Sequence, residues 1–156
     1  MFLIKVRCTF SCALRLYRPD LTDEQNRAIY GVCSNPSGHG HNYDLEVAVA
    51  GDIDPENGMV ADFYAIQKLV DEHIHDKVDH RNLNFDVPFM RGLVPTAENM
   101  AVKFWEILEP LVPGGRLFYI SIAEKNNNIV TYFGPKPAAQ YLQETSAAAL
   151  TAALNS

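Results

Sequence analysis

The chain has 156 residues, a length that suits one domain with its own core. Its residues are 47% hydrophobic and 21% charged, an ordinary globular balance. A formal net charge of −6 excludes a general nucleic-acid binder, which would carry a basic stripe, but leaves room for an anionic substrate held by a few local cations.

Residues 2–14, "FLIKVRCTFSCAL", are rich in β-branched and aromatic types, and Ile4, Val6, Cys8, Phe10, Cys12 and Leu14 alternate onto one face. This period of two predicts a strand. Thr22 is placed to cap a short helix through Ile29 that Gly31 ends. After a turn-rich link at 32–38, residues 39–50 form a second alternating run, with His39, His41, Tyr43, Leu45, Val47 and Val49 on one face. "GDIDPENGM" is a loop by its turn chemistry.

Asp62 then caps a helix in which Phe63, Ile66, Leu69, Val70 and Ile74 follow helical spacing. Residues 79–95 read as irregular, with Pro88 and Pro95. Thr96 opens a second helix, "TAENMAVKFWEIL", where Asn99 stands in the place of the usual Glu or Gln of a capping box. "GGRLFYISIAEK" and "NNIVTYFG" predict a hairpin. The order β, β, α, α, β, β predicts an α+β domain, a four-stranded antiparallel sheet with two helices on one face. The domain is expected to span residues 1–134, and the Ala-rich segment 135–156 to form a helical appendage.

Three cysteines without a CxxC argue against a disulfide framework and for a reducing compartment. The apolar start before Lys5 is too short for a signal-peptide core, and no apolar run reaches the length of a membrane span. The expectation is a cytosolic protein with neither membrane nor nucleic acid as partner.

The chemistry is concentrated in a few places. In "CSNPSGHGHNY", residues 33–43, His39 and His41 leave the same face of a strand and can approach one ion. Taken alone, such a pair is slightly more readily two polar residues at a strand entry. Cys33 is a nucleophile or base only where its neighbours favour the thiolate. In "VDHRNLN", Asp79 and His80 are a carboxylate and an imidazole able to relay a proton, though adjacent side chains need not touch and Asp79 equally suits the cap of a turn. Glu124 ends an apolar strand, where a carboxylate can receive two parallel N–H donors of a flat heterocycle. Glu98 suits a helix's first turn in any case. His73 and His75 read as part of a solvated helix face. Arg15 and Lys125 are candidate cations for an anionic substrate.

"FSCALRLY", "CSNPSGHGHNY", "GDIDPENGMVADF", "VDHRNLN", "PTAEN" and "AEKNNNIV" together resemble the 6-pyruvoyl-tetrahydropterin synthase family, in order and spacing, from about Lys5 to Gly134. "CSNPSGHGHNY" and "VDHRNLN" look closest to the tetrahydropterin synthases proper, and a 6-carboxy-tetrahydropterin synthase-like enzyme, the near-relative branch, is the alternative the resemblance leaves open. The resemblance implies the tunnelling fold, in which sheets of several subunits close into a barrel, commonly as trimers stacked into hexamers with active sites between subunits. It implies conversion of 7,8-dihydroneopterin triphosphate to 6-pyruvoyl-tetrahydropterin, with release of triphosphate. By the same resemblance Cys33 matches the base, Asp79 and His80 its relay partners, and Glu124 the pterin anchor. Thr96 and Glu98 fall with the substrate-binding residues, and His39 and His41 match two of three ligands of a zinc ion.

At the third ligand the chain departs from the family. The family pattern has a histidine in the first strand; this chain reads "FSCALRL", with Leu14 at that position. Three explanations stand side by side. Another group, such as Cys12 on the same strand face and roughly 6–7 Å away, completes the set. Two histidines hold the ion with water or substrate oxygens. Or the fold and pterin pocket persist in a catalytically impaired, pterin-binding protein.

Overall fold

The computed structural model describes residues 1–124 and 127–135. Its frame is a mixed sheet whose strands lie, in order across it, as Arg81–Asn82 (β3), Phe2–Leu14 (β1), His39–Gly51 (β2), Arg116–Glu124 (β4) and Asn128–Tyr132 (β5). Strand β1 (Phe2–Leu14) and strand β2 (His39–Gly51) pair antiparallel along their whole length, from Phe2 opposite Gly51 to Leu14 opposite His39. Strand β4 (Arg116–Glu124) joins the other side of β2, and β5 (Asn128–Tyr132) folds back on β4 as the predicted hairpin. The predicted helix after Thr22 is α1 (Asp23–Tyr30), and its capping box is complete, closed by Thr22 and Gln25.

The predicted alternation is realised. Val6, Phe10, Cys12 and Leu14 of β1 and Tyr43, Leu45, Val47 and Val49 of β2 are buried on one face. Two helical segments cover this face. The first begins as α2 (Phe63–Val70), capped by Asp62, passes through a π turn at Asp71–His75, and ends as α3 (Asp76–Val78). Ile66, Val70, Ile74 and Val78 form its buried stripe. The second is α4 (Ala97–Leu108), which buries Met100, Ala101, Phe104, Trp105 and Leu108. Thr96 Oγ1 accepts from the Asn99 N–H at 3.3 Å, while the Asn99 side chain donates to the Val94 carbonyl at 2.8 Å. The asparagine therefore ties the helix to the preceding loop instead of completing a capping box.

Two features go beyond the sequence reading. Within the stretch read as irregular, Arg81–Asn82 form β3, a two-residue strand parallel to β1. Periodicity is blind to so short a strand; its pairing is fixed from outside, by β1. The sheet also buries part of its second face, where Ala48, Ala50, Phe118 and Tyr119 pack with Leu3 and Phe133. The uninterrupted apolar run Leu117–Ile120 signals two covered faces. The segment 136–156, expected as a helical appendage, lies outside the described residues.

Candidate active site

One cleft of about 570 Å3 opens at the end of the sheet that carries Leu14 and His39. Leu14, His39, His41 and Tyr43 form its sheet wall, Cys33 and Leu16 one side, Pro95–Glu98 another, and Glu124 with the start of β5 the third. Six of the residues singled out in the sequence thus meet here: Cys33, His39, His41, Thr96, Glu98 and Glu124.

Each arrives by a local cause. His39 and His41 are the first inward-facing positions of β2, and their rings meet edge to face with centroids 4.9 Å apart. Glu124 ends β4 directly opposite Tyr43, which brings its Oε1 within 2.7 Å of His41 Nε2. Thr96 is the N-cap of α4, so its own fold requirement places Glu98 in the helix's first turn. Cys33 stands in a single 3-10 turn, Gly31–Ser34, between α1 and β2.

His39 Nδ1 is buried with no hydrogen-bond partner. Burial, and secondly the neighbouring His41, lower its pKa, so the ring is held neutral, the form that ligates a metal. The third corner is Leu14, 3% exposed and opposite His39 in the strand register. Among the described residues no group of three His, Cys, Asp or Glu side chains is arranged to hold a metal ion. Cys12 does not fill the gap: it stands opposite His41, is buried, and burial followed by the Asp79 charge pushes its thiol up to about 12. Two imidazoles and a leucine do not fit the three-protein-ligand set of a catalytic zinc centre.

Asp79 and His80 are elsewhere in the chain. His80 lines a separate groove with Ser11, Ala13, Gly40, Asn42 and the β3 residues, which shares only His41 with the first cleft. Asp79 Oδ1 accepts the Ser11 N–H at 2.8 Å, and Oδ2 pairs with His80 Nδ1 at 2.7 Å. The Ser11 N–H first and His80 second hold the Asp79 carboxyl below its ordinary pKa. His80 adopts φ 55°, a left-handed conformation that is uncommon for a residue with a side chain. Its N–H donates to the Ser11 carbonyl at 2.7 Å, one of the contacts that maintain it.

His75, read in the sequence as solvated, instead approaches this pair, with Nε2 3.9 Å from Asp79 Oδ2. The signal available in the sequence was its i, i+4 spacing to Asp79. It was masked by the acidic neighbours Asp71, Glu72 and Asp76. Lys125 lies outside the described residues.

The comparisons with known proteins decide the family. A sequence model described as 6-pyruvoyl tetrahydropterin synthase matches residues 3–135. The chain belongs to the 6-pyruvoyl tetrahydropterin synthase family. A 6-pyruvoyl tetrahydrobiopterin synthase of Pongo abelii is 45% identical over 128 residues, 82% of this chain and 88% of the relative. The human protein of the same name is 44% identical over the same shares. The Caenorhabditis elegans 6-pyruvoyl tetrahydropterin synthase structure superposes with a TM-score of 0.81 at 38% identity, covering 86% of this chain and 96% of that one. The tunnelling-fold expectation for the subunit therefore holds, with β3 added at the sheet's edge.

Proposed function

We propose that this protein is a tetrahydropterin synthase-type lyase, converting 7,8-dihydroneopterin triphosphate to 6-pyruvoyl-tetrahydropterin with release of triphosphate. The observation that carries the reading is the single cleft holding Cys33, His39, His41, Thr96, Glu98 and Glu124, on a fold shared with named synthases. In this reading Glu124 binds the amino-pyrimidine edge of the pterin. Its carboxylate accepts at both oxygens, and His41 engages only one of them. Thr96 and Glu98 line the mouth that the substrate enters. Cys33 removes a side-chain proton, and departure of triphosphate follows the resulting electronic rearrangement.

Asp79 and His80 serve as the relay of a neighbouring copy. Within one chain His80, paired with Asp79, opens onto a different groove from Cys33, so a relay linking all three requires at least two subunits. A hexamer built as a dimer of trimers, with active sites between subunits, satisfies that requirement. The compartment proposed is the cytoplasm; among the described residues no helix is long and apolar enough to cross a membrane. Zinc would find two of its three protein ligands, so no reaction step is assigned to it.

Leu14 favours a second reading, in which dihydropterin binds and triphosphate release is slow. The test is incubation with 7,8-dihydroneopterin triphosphate, following both triphosphate and tetrahydropterin product. Enzymatic release that falls about 100-fold or more in Cys33→Ala supports the lyase. Tight retention of pterin with no release above the uncatalysed rate rejects it in favour of the second reading.

A further inference from the structure

Arg15 follows Leu14, where β1 ends, and does not line the cleft in which an anionic substrate would be met. Its guanidinium is turned to another task. Nε donates to the Ser34 carbonyl at 2.7 Å, and Nη2 pairs with Asp23 Oδ1 of α1 at 2.7 Å. The guanidinium carbon stands 4.5 Å from the centre of the Tyr17 ring. The side chain is only 19% exposed, although Asp23 is largely in solvent.

The next residue continues the grip. The Leu16 N–H donates to the Cys33 carbonyl at 2.9 Å. Two consecutive residues just past the end of β1 therefore hold two consecutive carbonyls of the turn that carries the thiol. The turn is closed from within by Ser34, whose Oγ donates to the Gly31 carbonyl at 2.8 Å. Arg15 is itself held on the opposite side: its N–H donates to Asn84 Oδ1 at 2.8 Å, and Asn84 Nδ2 donates to the Arg15 carbonyl at 3.0 Å.

We infer that Arg15 is a positioning residue for Cys33, setting the thiol's place in the cleft through the Ser34 carbonyl while Asp23 and Tyr17 hold the guanidinium still. The inference rests on the reading of Cys33 as the base of the proposed reaction. Arginine suits the role because its planar fork serves a carbonyl and a carboxylate at once. A lysine ammonium is a point charge on a flexible stem and lacks that fixed geometry. Misplacing a reacting group by an ångström costs up to about 100-fold in rate, so a clamp remote from substrate reaches the chemistry through geometry alone.

The test compares Arg15→Gln, Arg15→Lys and Asp23→Asn with the parent full-length chain. Three quantities are read: kcat and KM for 7,8-dihydroneopterin triphosphate, the pH profile of Cys33 alkylation by iodoacetamide followed by peptide mapping, and the melting temperature. Arg15→Gln is expected to lower kcat about 10- to 100-fold with KM within about threefold. It also shifts the Cys33 alkylation rate at least about threefold at fixed pH. Arg15→Lys falls between the two. Asp23→Asn, which leaves Arg15 in place, moves both readouts the same way by a smaller factor and decides the matter if Arg15→Gln does not fold. Cys33 alkylation and kcat within twofold of the parent in a folded variant would overturn the inference, as would a rise in KM alone, which marks a substrate-binding cation. If the parent chain turns over no substrate, the lyase reading fails, and the alkylation profile alone decides whether Arg15 positions the thiol.

Discussion

Replacing Leu14 with histidine puts the strand geometry to its most direct trial. Residue 14 stands opposite His39 and shares the inward face with Cys12, His39, His41 and Tyr43. Cross-strand neighbours on one face have Cβ atoms about 4.5–5.5 Å apart, so an imidazole at position 14 reaches an ion already shared by His39 and His41. The substitution removes a leucine that is 3% exposed. Losing that burial costs about 1.5–3 kcal/mol. In a chain of this length each kcal/mol moves the melting point by roughly 2–4 °C, so Leu14→His without metal melts roughly 3–12 °C lower. Zinc at a hundred times its dissociation constant returns about 2.7 kcal/mol, most of the loss.

The assay is zinc per chain by elemental analysis, paired with melting in chelator and in excess zinc. The parent should carry well below one zinc and melt the same in both conditions. Leu14→His should carry close to one and melt higher with zinc. A parent chain that retains one zinc against chelator refutes the reasoning, because a ligand then exists that the described side chains do not supply. A Leu14→His chain that folds and gains no zinc refutes the register argument itself.

Three further outcomes follow from the same geometry. Burial first, with the Asp71 and Asp79 charges behind it, pushes the Cys8 thiol up to about 11, and burial with Asp79 pushes Cys12 up to about 12. Iodoacetamide at pH 8 should therefore modify Cys33 and spare the other two, and comparable labelling of Cys8 or Cys12 by peptide mapping would contradict this burial. Glu124→Gln replaces a carboxylate by an amide that offers the pterin edge one acceptor oxygen instead of two. Calorimetry with a dihydropterin should show affinity about tenfold or more weaker, the cost of one charge-assisted hydrogen bond; unchanged affinity would remove Glu124 from the site. Asp79 has a depressed folded-state pKa, so its contribution to stability is present above the unfolded value and is lost as pH falls through the folded one. Melting curves from pH 6 to pH 3 should fall more steeply for the parent than for Asp79→Asn, and parallel curves would show that the Ser11 and His80 contacts contribute nothing.

The sequence disclosed whatever is written in periodicity or in local capping. The inward faces of β1 and β2 followed from alternation, and Thr22, Asp62 and Thr96 announced three helix starts through the bonds their side chains make. His39 and His41 were legible as a pair because i, i+2 spacing fixes a shared face on a strand. What stayed hidden depends on partners remote in sequence. Arg15 looked like a cation for substrate because nothing local reveals that the Ser34 carbonyl, 19 positions on, is its acceptor. β3 exists through its pairing with β1. Separation of Asp79 and His80 from Cys33 was equally invisible, since motif order along a chain carries no information about which side of a sheet a loop reaches.

The stretch from Ser11 to Leu16 holds both halves of the proposed relay. Ser11 binds Asp79 and His80, Ala13 binds Leu83, Arg15 exchanges two bonds with Asn84, and Arg15 with Leu16 binds the Cys33 turn. The two loops are thus bolted to one short beam, and internal flexing offers no easy route for bringing His80 to Cys33 of the same chain. In the proposed assembly their meeting is governed by how copies dock, so dilution becomes a control on chemistry. A protein that is fully folded as a single subunit would be idle, and turnover would rise with concentration as copies find each other.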